Sequence, residues 1–259
     1  MKRNIALMYA IALLQGIVFY APVATLYRQA HGLSIFQITL IESISLALCI
    51  LLEVPWGAAA DRIGYKRTME FCCILYFVSK LVFWQADGFG WFLVERILLS
   101  VVTAGLSGVD TSMLYLSCGE GESHRVFSVY SGLQTLGLLL AALVFSMWIG
   151  ARYDLAGPLT ALSYGAAALL SCFLTEVKGP CRAGRFRTAA GQVLKNRRLL
   201  VLLIAAGLLT ETHQAVTVTV FLNQPQYQRC GMGNESMGWA YIVAAILGLT
   251  GAFSASLAR

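Results

Sequence analysis

The sequence predicts an all-α integral membrane protein, a bundle of helices that each cross a bilayer. Three observations carry that expectation. Hydrophobic residues fill 58% of the 259 positions and charged residues only 12%, against about 25% charged in soluble domains, and the mean hydropathy is +0.70. The apolar residues gather in runs of ~20, the length an α-helix needs to cross a ~30 Å hydrocarbon core. Short breaks rich in Gly and charge separate the runs, and an isolated backbone in lipid can satisfy its own polar groups only as a helix or a closed barrel.

Eight runs meet that length, at residues 5–27, 36–60, 68–86, 90–116, 125–149, 155–175, 199–222 and 236–258. The breaks fall at 28–34, 61–67, 87–90, 117–124, 150–154, 176–198 and 223–235. The first run follows Met1, Lys2, Arg3 and Asn4, an arrangement that imitates a secretory signal. It is too long for a signal core and no small-residue cleavage site follows it, so it is expected to remain as the first helix. Seven cysteines (Cys49, Cys72, Cys73, Cys118, Cys172, Cys181, Cys230) are scattered, mostly within the runs, with no C-x-x-C. They read as small buried apolar residues rather than disulfides or metal ligands, and no cofactor or metal is implied. The formal net charge of +6 would suit nucleic acid. Its basic residues, however, lie between apolar runs rather than on one surface, so the expected partner is the lipid bilayer and not a nucleic acid.

Orientation follows from Lys and Arg, which accumulate on the cytoplasmic side. With the N-terminus inside, the inner segments hold Lys2, Arg3, Arg62, Lys66, Arg67, Arg125, Lys178, Arg182, Arg185, Arg187, Lys195, Arg197 and Arg198. The outer ones hold only Arg28, Arg152 and Arg229. The bias predicts a cytoplasmic N-terminus. The longest polar interruption, residues 176–198, carries seven of these bases and one acid, Glu176. It reads either as a solvated tether obeying the charge bias or as an anchor for anionic headgroups.

Residues 53–67, Glu-Val-Pro-Trp-Gly-Ala-Ala-Ala-Asp-Arg-Ile-Gly-Tyr-Lys-Arg, close the second run and open the third. Gly57 would let a helix approach closely, and Gly64 permits backbone angles that a side chain forbids. Arg62, Lys66 and Arg67 put positive charge on one membrane face. The spacing Gly57-x3-Asp61-Arg62-x-Gly64-x-Lys66-Arg67 resembles the signature between the second and third helices of the major facilitator superfamily of transporters. Glu53-Val54-Pro55-Trp56 resembles the entry to that signature in bacterial members. Ser107-Gly108-Val109-Asp110, with Tyr115 following, resembles a run in their fourth helix, and Gln224-Pro225 resembles the end of their seventh.

The resemblance covers nearly the whole chain but part of the family's usual twelve helices. It implies a six-helix N-terminal half at 1–175, a basic cytoplasmic linker at 176–198, and the first two helices of an incomplete C-terminal half at 199–259. On this reading the chain is a truncated member, and missing C-terminal helices or another chain would complete the bundle. In the family, the Asp at the position of Asp61 is associated with a helix N-terminus in the other half, so only one side of that latch is expected here.

An ionisable group costs about 2.5–3.5 kcal/mol at a helix centre on insertion scales, so each one inside a span needs a reason. Glu42 and Arg96 lie about six residues inside the outer ends of their spans, or ~9 Å deep at 1.5 Å per residue. They either pair, if the second and fourth helices are neighbours, or Arg96 and Glu95 extend to the interface. Glu53 and Asp110 are matched near the cytoplasmic side and would repel unless a base such as Arg62 or Arg67 intervenes or one takes a proton. Lys80 lies inside the third span. Glu211 lies midway along the seventh, with His213 two positions on and off its face, and reads as the candidate substrate or proton site. It could bind a cation or carry a proton. In the family fold the first, fourth and seventh helices line the central cavity. Gln15, Tyr20, Tyr130 and Gln134 either add hydrogen-bonding groups to that cavity or bond helix to helix.

The three histidines, His31, His124 and His213, lie on different segments, and no paired-aspartate cluster or nucleophile motif stands out. That argues against an integral membrane enzyme. The expected function is transport of a small solute or drug across the plasma (bacterial inner) membrane by alternating access, driven by an ion gradient. A nonfunctional or regulatory membrane fragment is the alternative.

Overall fold

The computed structural model describes residues 2–119, 122–150, 153–177, 195–202, 204–205, 223–243 and 246, and among them no residue forms a strand. Among the described residues, four stretches are long and apolar enough to cross a membrane: Lys2–Ala30, Ile35–Glu53, Gly88–Ser117 and Ser123–Ile149. The first is not one helix. α1 (Lys2–Gly16) stops, residues 17–20 leave helical geometry, and a 3₁₀ turn (Ala21–Val23) leads into α2 (Ala24–Ala30). Pro22 explains the break: it has no N–H to give the carbonyl of Val18, and its ring crowds that carbonyl. The expected continuous helix over 5–27 is therefore corrected to two segments. Arg28, expected in the loop 28–34, lies instead inside α2 and is 3% exposed.

α3 (Ile35–Ile63) starts on a reciprocal cap. The Ser34 hydroxyl accepts from Gln37 N–H at 3.2 Å, and the Gln37 side chain accepts from Ser34 N–H at 2.9 Å. α4 (Tyr65–Gln85) follows after Gly64 alone, so the expected loop at 61–67 shrinks to one residue. Gly64 can make that junction because its φ is +101°, a region closed to most side chains. The fourth span is likewise two helices, α5 (Gly88–Leu106) and α6 (Val109–Ser117). Ser107 and Gly108 separate them, and Gly108 sits at φ +83°. α7 (Ser123–Val144) runs on through a π turn at Phe145–Ile149, and α8 (Tyr153–Ser171) ends four residues before the expected boundary.

Beyond α8, residues 197–202 and 234–243 are helical, and α9 (Gln224–Arg229) lies between them. Residues 178–194, 206–222 and 247–259 are outside the described set, and with them most of the linker at 176–198, most of the seventh span and the end of the eighth.

α3 packs along α5, α4 against both α5 and α8, and α1 against α7 and α8. Two apolar clusters result, one at each end of the bundle. The end near Lys2 is built on Met8, Ile11, Met69, Met113, Leu114 and Val126. The distal end is built on Tyr20, Tyr27, Phe83, Phe92, Phe145 and Met237. Phe36, Ile50, Leu51, Trp148, Leu162 and Leu169 point outward and are largely exposed. On a bundle whose own backbone polar groups are satisfied within helices, such a surface is solvated by lipid.

Candidate functional site

The break in the first span sits beside a cavity, and the neighbouring helix repairs its backbone. The Ser163 hydroxyl donates to Leu14 O at 2.7 Å, and the Tyr164 hydroxyl donates to Gln15 O at 2.6 Å. Phe19 N–H donates to Thr160 Oγ1 at 3.0 Å. One face of α8 thus supplies three hydroxyls to backbone groups at the interruption, where Leu14 O also accepts from Ile17 N–H at 3.2 Å. The sequence carried signals for this: Pro22 inside an apolar run, and hydroxyls at the i, i+3, i+4 positions Thr160, Ser163 and Tyr164, which share one helix face. On the other side, Gly16 and Gly137 let α1 and α7 touch backbone to backbone. A Cβ on Gly16 would meet the backbone of Gln134, and one on Gly137 the carbonyl of Leu13.

The cavity holds about 530 Å³, within the ~300–1,000 Å³ range of small-molecule sites. Gln15, Gly16 and Val18 from the first span line it, with Tyr76 from α4, Ser107 at the α5–α6 kink, Asp110 from α6, Tyr130 and Gln134 from α7, and Tyr164 from α8. Of the four uncharged candidates named from sequence, Gln15, Tyr130 and Gln134 meet here. Tyr20 does not line it. Its ring stacks on Phe83 with centroids 4.0 Å apart.

Asp110 is the carboxylate on this wall, and its recorded partners are neutral. It accepts from Thr111 N–H at 2.6 Å and from the Tyr130 hydroxyl at 3.3 Å. Glu53 accepts from the Ser107 hydroxyl at 3.0 Å. The base expected between Glu53 and Asp110 is not found: among the described residues no ion pair reaches either carboxylate. The reason is direction, because the helix carries Asp61 and Arg62 to an exposed end of α3 while Asp110 turns inward. Glu211 and His213 lie outside the described residues.

At the distal end the charges are arranged differently. Glu42 Oε1 lies 2.6 Å from Arg96 Nη2 and 2.8 Å from Arg28 Nη1. Glu95 Oε2 lies 3.6 Å from Arg96 Nε and 3.8 Å from Arg28 Nη2. Two carboxylates and two guanidiniums from α2, α3 and α5 thus balance in charge, with the Arg28 and Glu95 side chains 4% and 1% exposed. The pairing of Glu42 with Arg96 was one of two readings open from the sequence. Arg28 and Glu95 as members of the same cluster were not foreseen, because an unbroken first helix ending at residue 27 would leave Arg28 in a loop.

Lys80 also proved more organised than its lone position suggested. Its ammonium donates to the Tyr20 hydroxyl at 3.0 Å and lies 5.0–5.6 Å from the ring centres of Tyr76, Tyr164 and Tyr20. Rings at that distance attract a cation through their negative faces. Two of those rings, Tyr76 and Tyr164, also wall the cavity.

In the signature turn, Asp61, Arg62 and Arg67 are exposed. The Tyr65 hydroxyl donates to Asp61 across Gly64 at 3.4 Å, and Lys66 Nζ lies 3.4 Å from Glu70. Lys66 N–H donates to the Glu176 carboxylate at 3.3 Å, so an acid from the linker's first residue faces the positive start of α4. Among the described residues, a Cβ on Gly57 would meet nothing within 4 Å. Close approach is seen at Gly16, Gly137 and Gly105, the last packed on Cys72 and Trp56.

Solved structures share this architecture. The chain superposes on a mutant of the nucleoside transporter NupG with a TM-score of 0.67 at 15% identity, covering 94% of this chain and 64% of that one. It superposes on a D-xylose-proton symporter with a TM-score of 0.64 at 15% identity, covering 96% and 66%. With the human organic anion transporter MFSD10 (TETRAN) the TM-score is 0.55 at 18% identity, covering 69% and 48%. This chain therefore spans between about half and two thirds of the length of these transporters, and at such identities the likeness is one of fold. No curated protein matches the chain. Residues 5–259 match the family described as Major Facilitator Superfamily, and so the chain is a multi-pass membrane protein belonging to that superfamily.

Proposed function

We propose that this chain serves transmembrane transport of a small solute or drug by alternating access, driven by an ion gradient. The observation that carries the reading is the cavity of about 530 Å³ set against the broken first span, with one carboxylate and several hydroxyl and amide groups on its wall. Interrupted helices at a midplane cavity offer a solute polar groups that a continuous helix keeps for itself. Membership of a transporter family and transporter-named structural neighbours support it. In this reading the protein lies in the plasma (bacterial inner) membrane with its N-terminus cytoplasmic, and the Lys and Arg distribution supports that orientation. The first half ends near residue 175, and the pathway is completed by a second-half contribution from further helices or another chain. Gln15, Tyr130, Gln134 and Asp110 contact the solute. Glu211 binds a cationic group or carries the coupling proton, since an anion at mid-membrane depth is disfavoured unless charge or water reaches it.

The test is flux. Everted membrane vesicles containing the full chain, energised by a proton gradient, should move members of a panel of labelled cationic and neutral solutes. A protonophore should collapse that movement. Asp110→Asn and Glu211→Gln should each lower it at least tenfold at unchanged abundance. Vesicles indistinguishable from those lacking the chain, across the whole panel, would overturn the proposal.

A further inference from the structure

A second charge stands behind the cavity wall. Lys80 is 5% exposed, and its ammonium donates to the Tyr20 hydroxyl at 3.0 Å. The same ammonium lies 5.0 Å from the ring centre of Tyr76 and 5.1 Å from that of Tyr164. Ring faces and a hydroxyl oxygen are surroundings that favour a cation. Among the described residues no carboxylate comes within ion-pair distance of Lys80. Glu42 and Glu95, the acids of the distal cluster, are matched there by Arg28 and Arg96. The positive charge of Lys80 is therefore not cancelled by an ion pair among these residues.

Tyr76 and Tyr164 touch both this charge and the cavity, which they line. Their rings meet edge to face with centres 4.5 Å apart, and the Tyr164 hydroxyl is fixed on Gln15 O at 2.6 Å. The wall in front of Lys80 is thus held in place and about one ring thick. Asp110 lines the same cavity nearer Lys2. Tyr65 and Cys118 both pack on the apolar cluster at that end, so the start of α4 and the end of α6 lie at one level. At ~1.5 Å per residue, Lys80 stands roughly 22 Å along α4 from Tyr65, and Asp110 roughly 10 Å along α6 from Ser117. The two charges are then separated by roughly 12 Å along the bundle, with the cavity between them.

We propose that Lys80 is a specificity-determining residue that, together with Asp110, makes this cavity select a zwitterion: a small solute with an ammonium at Asp110 and a carboxylate at the Tyr76–Tyr164 wall. Lys80 acts through its field rather than by contact, since the two rings stand in front of it. A carboxylate on that wall lies roughly 8 Å from the ammonium. At an effective dielectric constant of about 20, unit charges at that distance attract by the equivalent of about a thirtyfold change in affinity. A solute with an ammonium alone gains the contact with Asp110 and is repelled by Lys80. One with a carboxylate alone meets the reverse. The inference rests on the proposed role of this cavity as the solute site, and it names the class of solute.

The experiment compares matched probes. γ-Aminobutyrate and ε-aminohexanoate carry both charges. Their amides keep only the ammonium, and pentanoate and heptanoate, with a methyl in place of the ammonium, keep only the carboxylate. The full chain, purified in detergent, is heated with each probe, and the rise of its thermal midpoint with probe concentration gives the apparent affinity. At least one zwitterion should bind about tenfold or more tightly than both its amide and its fatty acid. Lys80→Met, which keeps length without charge, should bring that zwitterion and its amide within about twofold of each other. Lys80→Arg, which keeps the charge, should retain a preference of about fivefold or more. The proposal is overturned if no probe shifts the parent's midpoint, if an amide or a fatty acid binds the parent as tightly as its zwitterion, or if Lys80→Met keeps the parent's preference. The ranking in the parent needs no variant, so it decides the matter even where Lys80→Met does not fold. If the chain moves no solute across a membrane, the ranking of midpoint shifts survives while vesicle flux is absent, so the two readings fail separately.

Discussion

The two ends of the cavity region hold their charge in opposite ways. At the distal end, Arg28, Glu42, Glu95 and Arg96 form a balanced quartet whose four ion contacts span 2.6–3.8 Å. Nearer Lys2, Asp110 and Glu53 are met by hydroxyls and an amide, with no opposing charge among the described residues. A matched cluster has no charge left to give a ligand, and breaking it strands an ion in low dielectric. A carboxylate with neutral partners beside a cavity keeps its charge available. The comparison therefore separates charge that ties helices together from charge positioned to act, and it does so without reference to conservation or to any ligand.

The most severe way to break that comparison is to remove one guanidinium. Arg28→Met should destabilise the bundle by about 3–5 kcal/mol, because Glu95 then remains buried with half its counter-charge. Membrane abundance and the thermal midpoint in detergent should both fall. Arg28→Met combined with Glu95→Leu should recover most of the loss, since replacing a whole buried pair by apolar groups is often neutral. A single variant as stable as the parent would mean that the quartet ties nothing together.

A milder change tests how burial scales the effect. The Glu42 side chain is one third exposed and accepts from both arginines. Glu42→Gln keeps its shape and one acceptor, so the cost should be about 1 kcal/mol, read as a small drop in the same midpoint. A loss as large as that of Arg28→Met would show that the quartet is sealed from water throughout.

The smallest effect on stability is expected at the other end. Asp110→Asn should change folding by less than about 1 kcal/mol, because the amide oxygen can still accept from Thr111 N–H while its NH2 can donate to the Tyr130 hydroxyl oxygen. Its effect should instead appear in the at-least-tenfold loss of vesicle flux under the proposed function. Unchanged flux together with a collapsed thermal midpoint would invert the comparison and make Asp110 the structural carboxylate.

Much of this was legible in advance, for identifiable reasons. The spacing of Gly57, Asp61, Arg62, Gly64, Lys66 and Arg67 pointed to the superfamily, and the residue placed at φ +101° is the Gly64 that the turn required. Gln15, Tyr130 and Gln134 stood out because polar groups in apolar runs need partners, and all three meet at one cavity. Tyr20, chosen on the same ground, went to Lys80 instead. Polarity alone marks a residue as needing a partner and does not choose among the partners that the bundle offers.

The sequence by itself determined that the chain crosses a membrane as helices, and where most of the apolar runs begin. Run length and hydropathy are local properties, and the bilayer fixes their meaning. Only the tertiary structure decided that Pro22 breaks the first span, that Arg28 turns inward to a cluster, and that Gln224 hydrogen-bonds to Thr25, 199 residues earlier in the chain. Each depends on which helices lie side by side. Without water to satisfy it, a freed carbonyl or a buried charge must find its partner on a neighbouring helix, and that neighbour is set by packing rather than by proximity in sequence.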